Sequence, residues 1–267
     1  MVTWRRIGPC LAVMGLLVTA CAPATPGVRL AIATPVMDHG GVPTLVRTLA
    51  IRSGTEADLI PLQTPQALRL LAAGDLDGAI VDSHTEAQAY AAHHPQSRLV
   101  PLWRLQLVLI GPEADPARAA GLPLAEAFRR IEATQSPFVS LGDHGGVHRR
   151  EQELWVAIGH PRRNRWYHES GNGLRQAMVQ ARQLGGYLLT DAATATVAAS
   201  RFGALRVLTD GGVGESLDVD LLLADGRAET PFWRTLADAL PAGLPVLPKG
   251  YGPLSPPDAP AASSQSR

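Results

Sequence analysis

Residues 137–155 read Pro-Phe-Val-Ser-Leu-Gly-Asp-His-Gly-Gly-Val-His-Arg-Arg-Glu-Gln-Glu-Leu-Trp. A short apolar run, Phe138–Leu141, predicts a strand. The loop Asp143-His144-Gly145-Gly146-Val147 follows it, and the spacing of His148, Glu151, Leu154 and Trp155 predicts a helix over His148–Ile158. Glycines ahead of a helix let backbone N–H groups approach a ligand closely, and the helix dipole favours negative charge there. Strand, glycine loop and helix in this order are the unit of an α/β protein.

The same alternation extends in both directions. Strands are predicted at Val28–Ala33, Ala57–Leu62, Gly78–Val81, Leu107–Ile110, Tyr187–Thr190, Leu205–Leu208 and Val219–Leu223. Helices are predicted at Val42–Arg52, Pro65–Ala73, Thr85–His93, Pro123–Thr134, Leu174–Leu184 and Pro231–Leu240. This order implies βαβ units in parallel or mixed sheets covered by helices. Thr64 is the expected N-cap of its helix, with Pro65 in the first helical position. Gly171-Asn172-Gly173 opens another helix.

Composition narrows the class. The chain has 267 residues, 46% of them hydrophobic, with 24 basic against 24 acidic side chains. It can therefore bury a substantial core or two half-sized lobes. A formal charge of zero argues against nucleic acid, which requires a basic footprint. The first 21 residues form an address: Arg5 and Arg6, the apolar stretch Ile7–Val18, then small residues. That stretch is too short for a permanent membrane span. Both cysteines, Cys10 and Cys21, lie in this segment, so the body of the chain holds no disulfide and no cysteine-based metal site. Residues 22–27 read as a linker, and residues 252–267, rich in Pro, Ser and Ala, as a disordered tail.

Several collinear motifs resemble one family. Val18-Thr19-Ala20-Cys21 resembles the lipobox of bacterial lipoproteins, which implies lipidation of Cys21 and a protein exported and tethered to a bacterial membrane, facing the periplasm or the cell exterior. The central motif, with Gln66-Ala67-Leu68, Gly74-Asp75-Leu76-Asp77, Gly111-Pro112, Asp115-Pro116-Ala117, Trp166-Tyr167, Gly171, Gly173 and Thr190-Asp191, resembles the extracellular tungstate-binding proteins of ABC transporters (TupA type). The resemblance runs from about Val28 to about Leu223. It implies a type II periplasmic binding-protein fold, an α/β architecture of two lobes with a ligand cleft between them. Residues 28–110 and 206–251 would form lobe 1, and residues 111–205 lobe 2. It also implies a small oxyanion ligand, tungstate- or molybdate-like, an ABC permease as partner, no cofactor and no catalysis. The ligand-binding residues it points to are Thr34, Thr64, Ser140, Gly145, Gly146, Val147, His148 and Asp191, acting mostly through backbone N–H groups or hydroxyls.

The departures from the family pattern are concentrated in the groups expected to face an anion. Thr34 stands alone where the family has a series of hydroxyls, and Gln63 and Pro65 replace the glycines flanking a threonine. Leu141 and Ala192 stand where arginines follow the family's Ser and Thr-Asp, and His144-Gly145-Gly146-Val147 replaces Asp-Ser-Gly-Thr. A leucine or alanine cannot supply the five fixed donors and permanent charge of an arginine. A second function class is therefore a binding-protein fold repurposed as a non-transport envelope accessory protein.

Other residues have competing readings. His144 and His148, four apart, suggest metal ligands with Glu151 or Asp143, but His144 precedes the helix. Ser140, Asp143 and His144 lie too close in sequence to converge as nucleophile, base and orienter. Arg149 and Arg150 read as a solvated helix face, and Trp155, Trp166 and Tyr167 as packing. Asp210-Gly211-Gly212-Val213-Gly214 lacks the lysine of a phosphate loop.

Overall fold

The structure, a computed structural model, describes residues 27–159, 164–171, 173–196, 205–209, 215–242 and 251–252. The leader with Cys10 and Cys21, the linker through Pro26, Asn172, the glycine-rich segment 210–214 and the tail beyond Gly252 lie outside the described residues.

Lobe 1 opens with β1 (Val28–Ala33), α1 (Thr34–Asp38) and α2 (Gly41–Arg52). There follow β2 (Ala57–Leu62), α3 (Thr64–Ala72), β3 (Gly78–Val81) and α4 (His84–His93). β1 pairs in parallel with β2 on one side and β3 on the other. Alternate side chains of these strands enter two different cores. Leu30, Ile32 and Ile80 pack with α2 residues Val42, Val46 and Leu49, whereas Ala31, Ala79 and Val81 pack with Ala67 and Leu71 of α3. Such a sheet, covered on both faces, needs near-continuous apolar strands, which is why these runs were legible in the sequence.

The chain then enters β4 (Arg98–Pro112), a 15-residue strand. Its first half, Arg98–Gln106, pairs antiparallel with β9 (Ser216–Leu223); its second half, Leu107–Ile110, pairs with β7 (Leu188–Asp191), and Leu109–Pro112 with β8 (Leu205–Thr209). The change of partners falls between Gln106 and Leu107, where Leu107 N–H donates to the Glu215 carbonyl at 2.9 Å. Only Leu107–Ile110 of this strand is predicted from sequence. Pro101, Arg104 and Gln106 interrupt its apolar pattern, and the structure accommodates them with a bulge between Pro101 and Trp103 and an ion pair from Arg104 Nε to Asp218 at 3.1 Å.

Lobe 2 contains α5 (Leu124–Thr134), β5 (Phe138–Ser140), α6 (Gly146–Ala157), β6 (Tyr167–Glu169) and α7 (Gly173–Leu184). β5 pairs in parallel with β6, and its backbone also bonds that of Tyr187. One aromatic nucleus organises this lobe. Trp155 is fully buried, with ring centroids 4.4 Å from Phe128, 5.1 Å from Phe138 and 5.5 Å from Trp166. The chain returns to lobe 1 through β9, which lies between β3 and β4, and continues to α8 (Pro231–Ala242) and β10 (Tyr251–Gly252), the latter on the outer side of β4. The α/β two-lobe architecture is the one expected. No helix among the described residues is long and apolar enough to cross a membrane.

Candidate functional site

Ends of strands from both lobes converge where the lobes meet. β1 leads directly into Thr34, β2 into Gln63 and Thr64, and β3 into Asp82. From the opposite side come the β5–α6 loop and the end of β7 at Asp191. In open α/β sheets, ligands collect outside the carboxyl ends of the strands for this topological reason.

The centre of the site is Asp82, which is fully buried. Its Oδ1 accepts from the Thr64 hydroxyl at 2.6 Å, and its Oδ2 accepts from the Gly146 backbone N–H of the other lobe at 3.1 Å. The Asp82 backbone N–H in turn donates to Thr64 Oγ1 at 3.2 Å. The hydroxyl of Thr64 is therefore committed to Asp82, and Thr64 is not the helix cap that the sequence suggests. Gln63 is the N-cap residue of α3, without a side-chain capping bond, and Thr64 is already helical. A second carboxylate lies alongside. Asp143 Oδ1 accepts from the Gly145 N–H at 3.0 Å, and its Oδ2 accepts from Gln63 Nε2 of lobe 1 at 2.9 Å. Gln63 Nε2 also reaches the Thr34 hydroxyl at 3.3 Å.

The remaining predicted residues divide in two. Asp191 faces lobe 1: its Oδ1 lies 2.9 Å from His39 Nε2 and accepts from the Thr194 N–H at 2.8 Å. Its second oxygen, like Thr190 Oγ1, is buried with no hydrogen-bond partner among the described residues. Ser140 is buried and accepts from Gly142 N–H at 3.3 Å. The Val147 side chain packs into the lobe 2 core. His148 is buried and its Nδ1 accepts from the His144 N–H at 2.9 Å, so this ring braces the loop. His144 is held there at φ 62°, a left-handed conformation that costs an L-residue about 1–2 kcal/mol. Among the described residues, no group of three His, Cys, Asp or Glu could hold a metal ion. Glu151, weighed as a ligand, instead accepts from Trp155 Nε1 at 3.0 Å and from the Tyr167 hydroxyl at 2.7 Å.

Two arginines expected on a solvated face are half-buried ties between elements. Arg149 pairs with Glu86 of α4 at 2.6 Å, and Arg150 with Glu215 at 2.8 Å, because α6 leans against lobe 1 along this side. Beside them, a pocket of ≈ 440 Å³ reaches both Asp82 and Gly146 and is lined by Ser83, His84, Thr85 and the two arginines. Gln63, Asp82 and His39 are the functional candidates the sequence reading missed. The one signal available for Asp82 was its position just after a strand, the same signal that singled out Asp191.

Burial raises the pKa of Asp82 above the ordinary carboxylate value. Hydrogen bonds from Thr64 and Gly146 and the Arg149 charge oppose this, and the Asp143 charge reinforces it. Burial likewise raises that of Asp220, against the pull of His84. A native state that holds these protons more tightly than the unfolded chain gains stability as pH falls through the raised values, and the gain ends near the unfolded value of 3.8. Thermal melts between pH 7 and 4 are expected to show this gain in the wild type, and to show less of it in Asp82→Asn.

The strand ends and the interlobe donors give the comparisons a geometric basis. No family model matches the chain. The chain is 26% identical over 168 residues to the tungstate-binding protein TupA of Peptoclostridium acidaminophilum, covering 62% of this chain and 59% of that protein. It is similar to the tungstate-binding proteins. It is also 28% identical over 172 residues to a candidate ABC transporter anion-binding protein of Haloferax volcanii, covering 64% of this chain and 50% of that protein. The chain thus spans half to three-fifths of the length of these relatives. Among solved structures, the tungstate-binding protein TupA from Desulfovibrio alaskensis superposes with a TM-score of 0.70 at 24% identity, covering 86% of this chain and 100% of that one. The fold is that of the tungstate-binding proteins.

Proposed function

We propose that this protein is the substrate-binding component of an ABC importer: exported, lipid-anchored through Cys21, and capturing a small oxyanion between its lobes for delivery to a permease. The observation that carries this reading is the meeting of donors from opposite lobes on a single carboxylate. The Thr64 hydroxyl and the Gly146 N–H, the latter at the first turn of α6, both point at oxygens of Asp82. Donors arranged to hold two carboxylate oxygens suit the oxygens of an inorganic oxyanion, and the helix dipole adds to the attraction. Names of relatives in sequence point to the same ligand class. The function is binding and hinge closure, with no chemical step. The residues assigned to the ligand are Thr34, Thr64, Ser140, Gly145, Gly146, Val147, His148 and Asp191, with Val147 acting through its backbone.

A second reading is favoured by a specific observation: the donors of the cleft are engaged by Asp82 and Asp143, and no arginine follows Ser140 or Asp191. On that reading the lobes hold one another as a rigid body for recognition of an envelope partner. Thermal melts with millimolar tungstate, molybdate, sulfate and phosphate separate the two. Binding to the native state raises the midpoint by mass action, by about 2–4 °C for each kcal/mol in a chain of this size. A rise with tungstate or molybdate is expected. Flat midpoints with all four anions would leave the accessory reading in place.

A further inference from the structure

We infer that Asp82 is the specificity gate of this cleft, a resident anion whose carboxylate holds the donors that an incoming oxyanion requires. The inference rests on the oxyanion-binding reading above and names the residue that controls entry. Both carboxylate oxygens are committed, one to the Thr64 hydroxyl of its own lobe and the other to the Gly146 N–H of lobe 2. The fit is close. A Cβ built on Gly146 would lie 2.5 Å from the Asp82 carbonyl oxygen and 2.8 Å from its carboxyl carbon. Position 146 therefore accepts glycine for the sake of Asp82, and the two residues form one device across the lobe boundary.

The surroundings extend the effect. Asp143 presents a second carboxylate on the adjacent Gly145 N–H, so a dianion entering here meets two carboxyl groups already seated on the backbone donors of the α6 N-terminus. Discrimination of this kind works by repulsion and by denying hydrogen-bond partners, without any loss of the fold. The ≈ 440 Å³ polar pocket borders Asp82 and Gly146 directly. Shortening the Asp82 side chain would thus join the freed donors to a space already lined by Ser83, Thr85, His84 and Arg149. A purely structural Asp82 makes the opposite forecast, in which its removal weakens the fold and leaves anion affinity where it was.

The test compares the wild type with Asp82→Ala and Asp82→Asn by titration calorimetry with sodium tungstate, sodium molybdate and sodium sulfate at pH 7.5, after circular dichroism has established that each variant is folded. Asp82→Ala removes both charge and volume and is expected to tighten tungstate binding about tenfold or more, the scale of one charge-assisted hydrogen bond regained. Asp82→Asn removes the charge, keeps the volume and is expected to gain much less. Should the alanine variant not fold, Asp82→Ser retains a hydroxyl for Thr64 and takes its place. If the wild type binds tungstate and the shortened variant binds it no more tightly, the gate is overturned while the oxyanion reading stands. If the wild type gives no heat and the shortened variant binds, the gate stands and the native chain is not an oxyanion carrier. If neither binds any of the three anions, both ideas fall.

Discussion

Replacing Trp155 with alanine is expected to lower the unfolding free energy by about 3–5 kcal/mol, the range for removing a fully buried aromatic side chain. The indole touches the rings of Phe128, Phe138 and Trp166, and its Nε1–H donates to the buried carboxylate of Glu151 at 3.0 Å. Alanine at this position leaves a void among three aromatic rings, and these cannot collapse into it without leaving their own rotamers. Glu151 would lose a donor but would keep the Tyr167 hydroxyl at 2.7 Å. The greater part of the cost is therefore packing. Urea denaturation decides this when Trp155→Phe is measured in parallel. Phenylalanine restores most of the volume without the N–H, so its cost should be well under half that of alanine. Equal costs for the two variants would show that the Glu151 hydrogen bond, and not the ring, holds this part of lobe 2.

Gly146→Val is expected to be the most damaging substitution in the cleft, costing about 3–5 kcal/mol. Its Cβ would lie within 2.9 Å of three atoms of Asp82, one of them a backbone oxygen that has no rotamer to change. Overpacking of this kind costs about 1–3 kcal/mol. Loss of the Gly146 N–H bond to the buried carboxylate adds about 1.5–3 kcal/mol, the range for a hydrogen bond to a charged group. The relief open to the molecule is to draw α6 away from β3, which would also strain the ion pair between Arg149 and Glu86. Small-angle scattering should then report a larger radius of gyration than for the wild type, and denaturant melts a lower midpoint. An unchanged radius together with an unchanged midpoint would mean that the contact between Asp82 and Gly146 does not hold the lobes together.

The strands Val28–Ala33, Ala57–Leu62 and Gly78–Val81 were all found with the expected bounds. Burial on both faces makes Leu30–Ala33 and Gly78–Val81 unbroken apolar runs, whereas Ala57–Leu62 is partly exposed and carries Asp58 and Pro61. Strands were less legible where one of them serves two sheets. β4 carries Arg98, Pro101, Arg104 and Gln106 among its apolar residues because parts of it are exposed, so its lobe 1 half has no regular period. The short helix Thr34–Asp38 and the three-residue strand Tyr167–Glu169 are too brief to show a period at all. In the site, glycines ahead of a helix and polar residues after a strand pointed to Thr64, Gly145, Gly146 and Asp191. Their partners could not be read. Gly146 meets a residue 64 positions away, Asp143 one 80 positions away, and Thr194 one 155 positions away. Such pairings exist only after two lobes have docked, and nothing local in the sequence encodes them.

The position of β9 has a consequence for the order in which the chain acquires its structure. A ribosome makes β1 to β4 first, but the strand that lies between β3 and β4 begins at Ser216, after all of lobe 2 has been made. Until then β3 and the first half of β4 present unpaired edges, which invite association with other chains. A nascent chain stopped near residue 210 would own every strand of lobe 2 and only a gapped sheet for lobe 1. Lobe 2 can thus mature early, while its neighbour waits for its central strand.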